Sequence, residues 1–131
     1  MAKLTDAQER FLEKPYLAVA TTIRPDGSPH NTVVWVDVED GVPRFNTAYG
    51  RAKPKHIEHN PWAALTVLDP DDDYKWLAVD GRAELTTDGA DEHIDKLSAK
   101  YTGNPEYQNR REGEQRVTVR IQPAHVTASG L

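Results

Sequence analysis

The stretch NTAYGRAKPKHIEHNP, residues 46–61, sets three cations within five positions, Arg51, Lys53 and Lys55, where a short helix is predicted to begin. A helix start favours negative charge, because the backbone dipole leaves about half a positive unit charge there. Its first N–H groups also have no partner inside the helix. Cations and free N–H groups together suit one chemistry, the binding of a phosphate or carboxylate by charge-assisted hydrogen bonds. Gly50 allows close approach of the backbone, and Pro54 presets a first-turn φ. The competing reading is a solvated basic turn, which costs only roughly a few tenths of a kcal/mol per misplaced cation.

Other chemistry-bearing residues are less organised. His56 and His59 stand three apart, but spacing supplies no third metal ligand, so a solvated pair, or one touching an anionic ligand, is expected. Asp69, Asp71, Asp72 and Asp73 lack the glycine and terminal glutamate of a calcium loop and read as a polar hairpin turn. No metal site is expected. There is no G-x-S-x-G motif, phosphate loop or Ser, His and Asp constellation to support a hydrolase or kinase.

Bulk composition narrows the classes further. Cysteine is absent, which removes disulfides, thiolate metal sites and a cysteine nucleophile, and fits a reducing cytoplasm. Acidic residues outnumber basic ones, 21 to 16, for a formal charge of -5. That balance argues against nucleic acid as a partner, since phosphate neutralisation needs net positive charge, and makes the local cationic cluster stand out. The opening MAKLTDAQERFLEKP has no apolar run of export-signal length, and no stretch reaches the roughly 20 apolar residues of a membrane span. A soluble, cytoplasmic protein with one domain over residues 1–131 is the expectation.

The elements that must position the cations follow from local chemistry. Thr5 or Asp6 is a candidate N-cap for a helix over 6–13, with Gln8 or Glu9 as capping-box partner. Residues 16–24, 30–38 and 42–49 read as an antiparallel meander with turns at PDGSP and EDG. The helix from 51 ends before Asn60-Pro61, because the residue preceding proline leaves the helical region. WAALTVLD, 62–69, reads as a strand buried on both faces, followed by a long strand over 74–87 with Gly81 as a bulge or close-approach point. Ile94, Leu97 and Tyr101 align on one face of a helix within 88–103. QRVTVRIQP and AHVTAS close the chain as one or two strands. Six or seven antiparallel strands with a few short helices predict a mainly β (α+β) fold closed into a barrel, because closure removes exposed edges.

The segments YLAVATTIRPDGSPHNTVVWV, FNTAYGRAKPKHIEHNP, AALTVL and VDGRAEL, over about residues 11–126, resemble the split β-barrel flavin and deazaflavin oxidoreductases related to pyridoxamine 5'-phosphate oxidase. The pyridoxamine oxidases carry Ser and Lys at the phosphate turn, where this chain has Arg51 and Lys53. They use a second-strand arginine for the FMN phosphate, and this chain has none between Pro25 and Pro43. Their C-terminal substrate-binding Arg and His have no match in QRVTVRIQPAHVTASG. R-A-K-x-K instead resembles the branch using coenzyme F420, a deazaflavin with a phosphate and an anionic oligoglutamate tail.

The resemblance implies that Arg51, Ala52, Lys53 and Lys55 hold the phosphate and tail, and that Thr32, Val33, Val34, Asn46, Thr47 and Ala48 line the ring. It implies a homodimer with the cofactor at the interface, where Tyr74, Lys75 and Trp76 arrive from the partner subunit. Trp35 and Trp76 are expected either at the ring or in packing. The implied activity is hydride transfer from reduced F420 to a conjugated, carbonyl-activated double bond of a small planar substrate. No catalytic acid is assigned; Tyr74 and His30 are the candidates, and water can serve. An FMN-dependent reductase or oxidase, and a non-catalytic F420 or tetrapyrrole carrier, are the alternatives.

Overall fold

The structure is a computed structural model, and it describes residues 2–131. Seven antiparallel strands lie in the order β2-β1-β5-β6-β7-β4-β3. They are β1 (Ala18–Ile23), β2 (Pro29–Val34), β3 (Val36–Glu39), β4 (Val42–Ala48), β5 (Trp62–Asp69), β6 (Asp72–Thr86) and β7 (Arg116–Ser129), with helices α1 (Asp6–Glu13), α2 (Ala52–His59) and α3 (Ala90–Thr102). The two edge strands, β2 and β3, are consecutive in the chain and separated only by Trp35. One residue cannot bridge a flat seven-stranded sheet whose neighbours lie about 4.8 Å apart, so the sheet must curl until its two edges converge at Trp35, with no ladder joining β2 to β3 among the described residues. The result is the split barrel.

The expected strand over 30–38 is therefore two strands, broken at Trp35. The Trp35 ring stacks on Tyr101 of α3 at 5.5 Å between centroids. At the corner, Val36 N–H donates to the Tyr101 hydroxyl, Val36 C=O accepts from Lys100 Nζ, and the Tyr101 hydroxyl donates to Tyr16 O at 2.6 Å. Helix α3 thus satisfies backbone groups at the break. Burial pushes the Lys100 ammonium down to about 8 and the Tyr101 phenol up to about 12.

β5 differs from expectation too. Ala63, Leu65 and Val67 are buried while Trp62 and Leu68 are exposed, so it has one inner face. The sequence conceals this alternation because most outward positions, Trp62, Ala64 and Leu68, are also apolar. By register, outward Val19 lies beside Val33; together with Leu17, just before β1, and Leu68 they leave an apolar outer surface.

Inside, Phe45, Leu65, Leu77, Val79, Val119 and Ile121 form the core, and α1 adds Phe11 and Leu12. Helix α1 is capped by Thr5, whose hydroxyl accepts from Gln8 N–H while the Gln8 side chain accepts from Thr5 N–H.

β7 is one strand running through Pro123. Opposite it the β6 register shifts between Asp80 and Gly81, leaving Ala124 unpaired in the bulge. A Cβ on Gly81 would stand 1.8 Å from Gln122 O, a backbone atom. Gly81→Ala is therefore expected to lower stability by about 1–3 kcal/mol in urea unfolding.

Candidate functional site

Helix α2 begins after Gly50, whose φ of +94° is reached at little cost only by glycine. Its N-cap is Arg51, with no side-chain cap, and its first turn holds no acid, whereas α1 and α3 both begin with acids. Pro54 has no N–H, so Ala52 and Lys53 carry the uncapped donors at this end. The opposite side of α2 is buried through Pro54, His56 and Ile57. His56 is thus not solvated: its Nδ1 lies 2.8 Å from Thr22 Oγ1, and its ring meets His30 edge-on at 5.0 Å. Burial holds both imidazoles below the ordinary histidine value. His59 is exposed.

A cleft of about 220 Å³ opens beside the α2 start. Its apolar wall is Leu17, Val33, Val34, Trp35, Ile94 and Leu97; its polar wall is Asn46, Thr47, Arg51, Lys53, Tyr107, Asn109 and Arg116. Lys53 is half-buried, and its Nζ donates to Thr32 Oγ1 at 2.9 Å. Burial and the neighbouring Arg51 lower its ammonium below the usual lysine value. An anion beside it would restore the charged form. Thr47 is fully buried, yet its hydroxyl has no hydrogen-bond partner. A charged mouth, an apolar wall and an orphaned hydroxyl fit a planar ligand bearing a phosphate.

The polar wall is tied to a buried network. Asp37 on β3 takes two hydrogen bonds from Arg44, at 2.9 and 2.7 Å. It also lies 3.1 Å from His93 Nε2. Burial alone would raise the Asp37 carboxyl, but the bonds from His93 and Arg44 outweigh it and hold the group well below the carboxylate range. The Asp37 carboxylate can only accept from Nε2, and the Asn46 NH₂ beside Nδ1 needs an acceptor there, so the His93 proton sits on Nε2; burial, which lowers the imidazole below its ordinary value, favours the same neutral form. Its Nδ1 then accepts from Asn46 Nδ2 at 3.1 Å, and Thr118 Oγ1 lies equally near. Asn46 Nδ2 also donates to Ala90 O, while Asn46 Oδ1 accepts from Arg116 Nε at 2.8 Å.

Of the residues expected at the site, Val33, Val34, Asn46, Thr47, Arg51 and Lys53 meet at the cleft, with Thr32 held behind Lys53. Ala52 and Lys55 are exposed on α2 outside the cleft lining, and Ala48 is buried in a neighbouring groove shared with Arg51. His30 packs against His56, away from the lining. Tyr74, Lys75 and Trp76 lie on β6, outside the lining of their own chain, with Tyr74 79% exposed. Trp35 serves as both cleft wall and packing. Sequence reasoning missed Arg116, Tyr107 and Asn109. Tyr107 was the readable sign, a lone aromatic in an otherwise polar loop; nothing local marked Arg116. Among the described residues no cluster of three or more His, Cys, Asp or Glu could hold a metal ion, and no helix is long and apolar enough to cross a membrane.

Residues 4–130 match the family described as pyridoxamine 5'-phosphate oxidase. The chain belongs to that family. This member is similar to the F420H(2)-dependent biliverdin reductase of Mycobacterium tuberculosis (strain CDC 1551 / Oshkosh), 30% identical over 97% of this chain and 89% of the relative. A solved structure described as an F420 reductase aligns with TM-score 0.83 and 30% identity, over 95% of this chain and 98% of the other. The conserved hypothetical protein Rv2991 of Mycobacterium tuberculosis aligns with TM-score 0.74 and 23% identity, over 96% and 84%, a likeness of fold.

Proposed function

We propose that this family member is an F420-dependent reductase acting on a small planar molecule with a conjugated, carbonyl-activated double bond. The observation that carries the reading is Lys53, a half-buried cation at an uncapped helix start on the lip of an apolar cleft. The two relatives at 30% identity whose descriptions name F420 support the same cofactor. Bound and reduced, F420 would supply a hydride to the electrophilic carbon of the substrate. The chain's part is to hold and orient the cofactor and to exclude water. Arg51, Lys53 and the Ala52 and Lys53 N–H groups hold the phosphate, and Lys55 reaches the anionic tail along the exposed side of α2. Val33, Val34 and Trp35 bound the ring. His30 does not line the cleft, so in this scheme the final proton comes from water or from the Tyr74 that a second copy brings in.

The working unit in this reading is a homodimer. A volume of about 220 Å³ falls below the roughly 300–1,000 Å³ of pockets that enclose whole ligands, so one chain supplies only part of the wall. Leu17, Val19, Val33 and Leu68 give the uncovered apolar surface for a second copy, which brings in its own Tyr74, Lys75 and Trp76. Reduced F420 should be oxidised steadily when a cyclic enone or planar lactone is added, followed by the return of oxidised F420 absorbance. Binding without turnover across a broad acceptor panel would instead mark a carrier.

A further inference from the structure

Arg116 is the most deeply placed cation of the cleft. Its side chain is 2% exposed, against 47% for Arg51. A buried guanidinium is costly unless its donors are matched. Here Nε donates to Asn46 Oδ1, Nη1 to the Glu114 carboxylate, and the guanidinium carbon lies 5.1 Å from the Tyr107 ring centre. Burial alone would raise the Glu114 carboxyl, but the Arg111 N–H and Arg116 hold it below its usual range, so it remains an anionic partner. Among the described residues these bonds leave Nη2 without a protein acceptor, in a side chain that lines the cleft beside Ile94 and Leu97.

Asn46 cannot take that role. Its two N–H groups are engaged by Ala90 O and His93 Nδ1, and its oxygen already accepts from Arg116. The amide is therefore locked in one orientation, and a flip would set its NH₂ against the Arg116 Nε–H. Behind it, Asp37 fixes the His93 tautomer by accepting from Nε2, which makes Nδ1 an acceptor for Asn46. Four side chains, Asp37, His93, Asn46 and Arg116, so form a continuous chain from the barrel's buried ion pair to the cleft wall.

We propose that Arg116 is a ligand-binding residue that donates through Nη2 to a carbonyl or anionic oxygen on the polar edge of a planar conjugated ring. Asp37 and His93 are positioning residues that hold it there through Asn46. The phosphate belongs at the more exposed Arg51 and Lys53; Arg116 shares the Glu114 carboxylate with Arg51 but is far more buried, in a cleft that Ile94 and Leu97 also line, where a ring lies. The inference deepens the F420 reading and rests on it.

The test is a titration of F420 into wild type, Arg116→Gln, Arg116→Lys and His93→Gln, followed by tryptophan quenching. It is combined with the absorption maximum of bound F420 at saturation, where differences in affinity and folding no longer enter. Wild-type binding establishes the cofactor first; should wild type take only FMN, the reading fails and the same comparison is run in FMN. Arg116→Gln should bind about 10- to 100-fold more weakly and lose the displacement of the bound absorption maximum, and Arg116→Lys should lie between it and wild type. If Arg116→Gln does not fold, Arg116→Lys carries the test, because it keeps the charge and loses the fork. His93→Gln should weaken binding several-fold and reduce the displacement. An affinity within twofold of wild type and an unchanged spectrum in the Arg116 variants would overturn the ligand contact. An unchanged spectrum and affinity in His93→Gln, with Arg116→Gln impaired, would overturn the positioning role.

Discussion

Lys53→Ala is expected to weaken F420 binding by roughly 1.5–3 kcal/mol, about 10- to 150-fold, through loss of one charge-assisted contact. The cause is local. Lys53 Nζ has one protein partner, Thr32 Oγ1, and burial together with Arg51 disfavours its charge until an anion arrives. Its removal exposes no core residue, so urea unfolding of the free protein should change little. A direct titration of both proteins measures the effect, and equal affinities would mean that the cofactor's anion docks elsewhere.

Asp37→Ala should lower stability by about 3 kcal/mol, the low end for a broken buried ion pair, because it leaves Arg44 with only Glu39 at 3.4 Å and His93 Nε2–H without an acceptor. The same carboxylate sets an acid limit. Its folded-state value lies well below the unfolded value of about 3.9, so the stability it contributes is fully present above that value and is lost as pH falls below it. Urea midpoints measured from pH 7 to pH 2.5 should fall below pH 4 in wild type, and fall less steeply in Asp37→Ala. Parallel profiles would show that Asp37 is not the group responsible.

What could be read in advance followed local chemistry. The Thr5 and Gln8 capping box, the Gly81 bulge and the cationic start of α2 each depend on residues within a few positions or on one constrained backbone. The Trp35 break is not legible because the residues around it, Thr32 to Val36, all favour strands, and the break is set by α3, whose Tyr101 lies 66 residues further on. Pro123 looked like a strand end, since proline donates no ladder bond; the bulge opposite Gly81 accommodates it within one strand. The burial of His56 is not legible either, because its three-residue spacing from His59 does not say which face of α2 meets the barrel. Arg116 was invisible for the same reason: its value comes from Asn46, 70 residues earlier in sequence, and from the side chains behind it.

The proposed function requires that this cleft take a deazaflavin by its phosphate and tail. Parallel titrations of wild type with F420 and with FMN, read by quenching of Trp35 in the cleft wall, test it most directly. Saturable quenching by F420 at concentrations where FMN gives little response is the expected result. Tight FMN binding with no response to F420 would contradict the account.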